Sequence, residues 1–270
     1  MNGQGSVIID QIQMTYGKGD KSVRALNRIS LNIKNGEFVA IVGPSGCGKS
    51  TLLKIVAGLL APTAGTVTVN DEIVRKPITD VGIVFQQHLL LPWRNSLQNI
   101  LLQIEARKLS DKDYRQHALD LIEQTGLTGF EDKYPGELSG GMAQRVSICR
   151  ALVHDPPLLL MDEPFGALDA LTRDQMNQDL ERICREAGKT VLFITHSIAE
   201  AVFLADRVVV MSPRPGNIDE IIDTKISRPK NFSHRETPQF IEAVQHIRGR
   251  FEQMGVLRGS IPANAKKEVQ

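Results

Sequence analysis

Apolar positions change their spacing several times along this chain, and each change marks a different kind of element. At Ile29, Leu31 and Ile33 they alternate with polar residues, as in a strand with one face covered and the other in water. Similar short strands are expected at 7–14 and 66–70, so the N-terminal part reads as an antiparallel β layer. Five later runs, at 38–42, 81–85, 158–161, 191–195 and 207–211, are apolar almost without interruption. Strands covered on both faces have this composition, and they predict a mostly parallel sheet core. The expected class is α/β.

Between the second and third of these runs the period becomes helical. Within 86–157, Leu97, Ile100, Leu101 and Ile104 share one face and Ala118, Leu121 and Ile122 another, which predicts a helical insertion over about 87–157. After the last core strand, Pro213 and Pro215 break the chain and Ile218 and Ile221 alternate. Thr237 and Pro238 then open a final helix as cap and first residue, with Phe240, Ile241, Val244, Ile247 and Phe251 on one stripe. The expected organisation is one domain over 1–228, with the insertion inside it, and a short helical extension over 229–270.

Composition narrows the setting without changing this picture. A chain of 270 residues, 41% of them hydrophobic, can bury a substantial core as one compact unit with a subdomain. Its 32 Lys and Arg nearly balance 31 Asp and Glu, so nucleic acid is not an expected partner. The longest apolar stretches are strand-sized, far short of the ~20 residues of a membrane-spanning helix. Residues 1–10 lack the basic start and apolar run of a secretory signal. Cys47, Cys149 and Cys184 are odd in number and without a C-x-x-C pair, which argues against disulfides and zinc and fits a reducing cytosol.

The sharpest chemical signal is the segment Gly43, Pro44, Ser45, Gly46, Cys47, Gly48, Lys49, Ser50, Thr51. It fits G-x-x-x-x-G-K-[ST] and lies between the run at 38–42 and a helix expected to start near Lys49. Glycines let such a loop wrap until its N–H groups face phosphate oxygens, and the helix adds the positive end of its dipole. Lys49 would meet the terminal phosphates, Ser50 would offer a hydroxyl oxygen to Mg2+, and Thr51 would add a phosphate contact. Cys47 reads first as a tolerated loop residue rather than a nucleophile; it also stands beside a helix N-terminus, a setting that can lower a thiol's pKa, so alkylation is expected to inhibit and bound nucleotide to protect.

The run at 158–161 leads into Asp162 and Glu163, and open α/β sheets bind ligands beyond the carboxyl ends of their strands. In P-loop enzymes the first acid orders Mg2+ and the second orients or deprotonates the attacking water, roles that fall here to Asp162 and Glu163. His196 follows the next run at the same sheet edge and is expected to contact the terminal phosphate. Paired acids after a strand also suit a helix N-terminus, and a lone His is commonly a cap. The P-loop tips both toward catalysis.

Leu138-Ser-Gly-Gly-Met142, followed by Ala143-Gln-Arg-Val, resembles the signature of ABC ATPases. The order P-loop, Gln86, signature, Asp162-Glu163, Ala167-Leu-Asp169, His196 matches that family over about 7–211. The resemblance implies a RecA-like P-loop NTPase that binds ATP and Mg2+ and pairs head to tail, Ser139, Gly140 and Gly141 of one copy completing the ATP site of the other. By the same comparison Tyr16 stacks on adenine, Gln86 links Mg2+ and the attacking water to the helical insertion, and Asp169 is the acid of the loop between subunits. Gln87 leaves the register at Gln86 open, a helix cap accounts for Asp169 nearly as well, and Met142 stands where glutamine is commoner.

With no fused membrane segment and a single cassette, the resemblance implies an importer subunit rather than an exporter or a soluble translation or repair factor. Leu90-Leu-Pro-Trp93, Met142, Met211-Ser-Pro-Arg-Pro-Gly216 and Arg228-Pro229 resemble the importers of nitrate, sulfonate, taurine and bicarbonate, a broad group in which some members serve nitrogen heterocycles such as thiamine precursors. The partners implied are a second copy, integral-membrane permeases and, indirectly, a periplasmic or extracellular solute-binding protein, at the cytoplasmic face of the inner membrane. Trp93 is expected to help form a groove for a permease helix and the last helix to be structural cover. A soluble nucleotide-dependent switch is the alternative of another class.

Overall fold

The computed structural model describes residues 5–166 and 168–257. Residues 1–4, Ala167 of the Ala-Leu-Asp run and the 258–270 part of the expected extension lie outside the described residues. The strands are β1 (Val7–Tyr16), β2 (Val23–Ile33), β3 (Phe38–Val42), β4 (Ala64–Val69), β5 (Glu72–Ile73), β6 (Gly82–Val84), β7 (Leu158–Asp162), β8 (Thr190–Ile194), β9 (Arg207–Met211) and β10 (Ile218–Asp223). The α-helices are α1 (Lys49–Val56), α2 (Ser96–Ala106), α3 (Asp111–Gln124), α4 (Gly140–Leu152), α5 (Ala170–Glu186), α6 (Ile198–Leu204) and α7 (Pro238–Gln253). Among the described residues no helix is long and apolar enough to cross a membrane.

The expected antiparallel layer is a four-stranded sheet ordered β2-β1-β4-β5, and the mostly parallel sheet has six strands ordered β10-β9-β3-β8-β7-β6. Only β10 runs antiparallel in the second sheet, closing its edge against β9. Alternate residues of the parallel strands enter different cores. Phe38, Ala40, Val42, Val191, Phe193, Val208 and Val210 belong to a core shared with α2 to α7. Val39, Ile41, Leu192, Ile194, Val209 and Met211 pack instead with α1 and the antiparallel sheet. This double coverage is the physical reason for the uninterrupted apolar runs.

Strand order also places the chemistry. Neighbouring β3, β8 and β7 end at one edge of the sheet, so the segments that follow them, beginning at Gly43, Thr195 and Glu163, emerge side by side. The strand expected at 81–85 contracts to Gly82–Val84, a sheet edge with a partner on one side only. At the start of α7, Thr237 Oγ1 accepts from Phe240 N and Pro238 is the first helical residue. Phe240, Ile247 and Phe251 are buried there and Val244 is half-buried, but Ile241 is exposed. It stands about 100° around the helix from Phe240, off the buried stripe.

Candidate functional site

The loop after β3 is held from behind and braced from within. Gly46 and Gly48 adopt φ of +75° and +106°, and a Cβ at Gly48 would stand 2.5 Å from Leu26 Cδ2 of β2. Only a residue without a Cβ fits there. Lys49, 6% exposed, curls back so that Nζ donates to the carbonyls of Gly43 at 2.8 Å and Pro44 at 3.2 Å. An ammonium has three donors. Two are engaged with the loop itself, which leaves one for a ligand in the cleft.

The Ser50 hydroxyl donates to Asp162 Oδ1 at 2.9 Å, joining the loop to the end of β7. Burial raises the Asp162 carboxyl above its ordinary pKa; the Ser50 hydroxyl opposes this and Glu163 adds to it. A hydroxyl, a carboxylate and the nearby Gln86 amide are hard oxygen donors, and Mg2+ commonly takes one or two protein oxygens besides water and phosphate. The set fits that ion.

Glu163 turns sharply out of the strand with φ +47°, and its N–H donates to the Ile194 carbonyl at 2.8 Å. A backbone of this kind costs on the order of 1–3 kcal/mol for a residue with a Cβ. The turn brings Glu163 Oε2 to 3.3 Å from His196 Nδ1. A Cβ at Gly166 would lie 3.8 Å from Gln86 Nε2 and 3.9 Å from Glu163 Oε2, so the amide and the carboxylate converge. Carboxylate, imidazole and amide together can position and deprotonate a water.

A cleft of about 570 Å³ runs over these groups, lined by Tyr16, Val23, Ala25, Ser45, Gly46, Gly48, Lys49, Ser50, Thr51, Gln86, Glu163 and Arg214. Gln86, not Gln87, is the lining glutamine. The Tyr16 hydroxyl lies 3.2 Å from Thr51 Oγ1. Arg214 was not anticipated; its Nε and Nη2 both donate to the Gly46 carbonyl, at 3.1 and 3.0 Å. The available signal was a basic residue between two prolines just after a core strand. Cys47 is 1% exposed, and burial pushes its thiol up, outweighing the opposing effects of Lys49 and the local backbone N–H groups, so the helix N-terminus does not lower it and the reading as a loop residue fits better.

Other residues expected at the site stand apart from this cleft. Ser139 Oγ caps α4 by accepting from Met142 N at 3.2 Å, and among the described residues a Cβ at Gly140 would meet nothing within 4 Å. A Cβ at Gly141 would lie 3.0 Å from Thr172 Cγ2. Asp169 caps α5 through Thr172 N at 3.0 Å, and that bond holds its carboxyl below the ordinary range. Thus Tyr16, most of the loop, Gln86 and Glu163 line the cleft, Asp162 and His196 join them through Ser50 and Glu163, and Ser139, Gly140, Gly141 and Asp169 do neither.

This sheet and cleft define a P-loop nucleoside triphosphatase. A family profile for ABC transporters matches residues 26–166. The chain is 47% identical over 239 residues to an uncharacterized ABC transporter ATP-binding protein of Methanocaldococcus jannaschii, covering 88% of this chain and 90% of that one. It is 40% identical over 256 residues to the aliphatic sulfonates import ATP-binding protein SsuB of Bacillus cereus, covering 95% and 100%. With the taurine import ATP-binding protein TauB of Yersinia pseudotuberculosis it shares 43% over 245 residues, covering 86% and 94%. A solved dimeric ATP-binding cassette in a post-hydrolysis state, bound to ADP and Pi, matches with TM-score 0.73 at 35% identity, covering 82% of this chain and 100% of that one. The chain belongs to the ABC transporter family, as an ATP-binding cassette with ATPase chemistry.

Proposed function

We propose that this chain is the ATP-hydrolysing subunit of an importer for a taurine- or sulfonate-type solute, and that it works as a head-to-tail pair. The observation that carries the pairing is the separation, within one chain, of a braced P-loop from an exposed Ser-Gly-Gly helix start. Each copy holds one half of two sites. On this reading Tyr16 stacks on adenine, the N–H groups of the loop and Lys49 hold the phosphates, and Ser139, Gly140 and Gly141 of the other copy close over them. Ser50, Asp162 and Gln86 would hold Mg2+, whose charge offsets that of the phosphates when it is bound. Glu163 orients and deprotonates the attacking water, His196 contacts the terminal phosphate, and Asp169 lies between the copies. Hydrolysis then lets the copies separate.

The segment 87–157, inside a domain spanning 1–228, would carry this motion to permeases at the cytoplasmic face of the inner membrane. A groove of about 410 Å³ offers a mixed seat for a permease helix, apolar at Phe85, Leu89, Leu102 and Ala106 and basic at Arg107 and Arg150. Trp93, 70% exposed, stands on the same segment and supports that use. The last helix, α7 over Pro238–Gln253, acts as structural cover. The names of the sulfonate and taurine relatives favour those solutes over nitrogen heterocycles, and the Glu163–His196 contact favours a hydrolase over a passive switch. The test is to purify the tagged chain from membranes and to measure uptake of labelled taurine and alkanesulfonates in a strain lacking it. Co-purifying permeases and lost uptake are expected. Unchanged uptake, with the chain recovered free of membrane proteins, would reject the proposal.

A further inference from the structure

The start of α6 spells a capping box that the structure does not close. Ser197-Ile-Ala-Glu200 has the S-x-x-E spacing in which the carboxylate ordinarily accepts from the backbone N–H of the cap residue. Ser197 Oγ does accept from Glu200 N at 3.3 Å, but the Ser197 N–H donates to Thr195 Oγ1 at 3.0 Å instead. The Glu200 side chain, 8% exposed, turns elsewhere: Oε2 accepts from the Thr195 hydroxyl at 2.5 Å, and Oε1 lies 3.5 Å from Arg173 Nε. Burying a carboxylate is costly unless it is paired and hydrogen-bonded. A cap alone needs no such burial.

Arg173 completes the arrangement from α5. Its Nη2 donates to the Leu168 carbonyl at 2.6 Å, and its backbone N–H donates to the Asp169 carbonyl at 2.9 Å. Leu168 and Thr172 are also the neighbours that a Cβ at Gly141 would meet, at 3.6 and 3.0 Å. One ion pair therefore ties the segment carrying His196, which meets Glu163, to the loop carrying Asp169 and onward to the Ser-Gly-Gly helix start. Shifting either loop alone would move Arg173, itself 31% exposed, away from the buried Glu200 carboxylate and leave that group without its cation.

We propose that Glu200 and Arg173 are positioning residues for ATP hydrolysis, locking the His196 segment and the Asp169 loop into one relative placement. The half-site that a copy offers to its partner is then held in register with the Glu163–His196 pair that serves its own nucleotide. This inference rests on the catalytic reading of Glu163 given above. Neither residue lines the cleft, so the pair acts on turnover rather than on nucleotide affinity.

The experiment compares full-length Glu200→Gln, Arg173→Gln, Arg173→Lys, the Glu200→Gln/Arg173→Gln double variant and Glu163→Gln. It measures steady-state ATP hydrolysis, equilibrium ATP binding and thermal melting. The two Gln variants should each lose about tenfold in kcat with ATP affinity within about twofold, and the double variant should fall no further than the worse single, because all remove one shared link. Arg173→Lys should restore only part of the rate, since a single ammonium cannot serve Leu168 and Glu200 with the fixed fork of a guanidinium. Losses that multiply in the double variant, or a lowered melting temperature with unchanged kcat, would overturn the inference. If Glu200→Gln does not fold, the kcat and affinity of the two Arg173 variants decide by the same criteria. Full turnover in Glu163→Gln would remove the catalytic reading beneath the inference, whereas a slow Glu163→Gln beside normal Glu200 and Arg173 variants overturns the inference alone.

Discussion

The loop at 43–51 and the helix start at 139–141 are built from the same parts, glycines and a serine leading into a helix, yet they are held differently. The first is pressed from behind by Leu26, braced by Lys49 on its own carbonyls and held at the Gly46 carbonyl by Arg214. In the second, the serine is engaged in capping its own helix and Gly140 is exposed, with no neighbour among the described residues for a Cβ to meet. A rigid, partly enclosed set of donors binds an anion strongly, whereas an exposed helix start competes with water until another surface encloses it. The difference predicts a division of labour. The loop should govern nucleotide affinity, and the Ser-Gly-Gly start should govern turnover.

That division can be broken at several points. The largest effect is expected from Glu163→Gln, which should slow ATP hydrolysis by about 10²–10⁴-fold while nucleotide stays bound and an ATP-dependent dimer accumulates in sedimentation. Monomers alone at saturating ATP and Mg2+ would remove the pairing from the argument. Lys49→Ala deletes a charged donor worth about 1.5–3 kcal/mol, so equilibrium binding should show ATP held roughly 10- to 100-fold more weakly. Gly140→Asp should separate stability from activity. A carboxylate at a helix start raises or preserves the melting temperature, yet it repels phosphate, so hydrolysis should drop by about tenfold while the monomer's ATP affinity is unchanged. An equal loss of affinity would show that the two regions are not distinct. The smallest change is expected at Cys47, where burial keeps the thiol protonated at neutral pH. Iodoacetamide should react with the native chain at least about tenfold more slowly than with free cysteine, and rapid labelling would show that the loop opens.

Some of this was legible in the chain because a single physical cause dominated. β3 and β9 occupy the residues expected of them, since a strand covered on both faces has no polar position to blur its ends. The start of α7 was equally clear, because Thr237 and Pro238 act locally. The antiparallel layer was read only in part. β2 begins at Val23, but left-handed residues at Gln11 and Arg28 and shifts of register break the alternation before Ile29. Among site residues, the P-loop and Glu163 follow from local spacing. Arg214 and the burial of Cys47 depend on packing between segments far apart in sequence, which no local pattern encodes, whereas Glu200 is diverted both by Thr195 close by in sequence and by Arg173 of α5.

The position of β3 has a consequence for how the molecule comes into being. Its neighbours in the sheet are β8 and β9, so Phe38 to Val42 find their partners only among residues 190–194 and 207–211. Gly216, whose missing Cβ lets it lie against the Cys47 carbonyl, reaches the loop later still. On a ribosome, with the N-terminus emerging first, the strand that ends in the phosphate loop waits through most of translation without either flanking strand. A nascent or truncated chain that stops before residue 190 thus has the complete Gly43 to Thr51 sequence but not the sheet that shapes it. Such a chain lacks both strands that flank β3 in the folded protein, and with them the frame on which the loop is set.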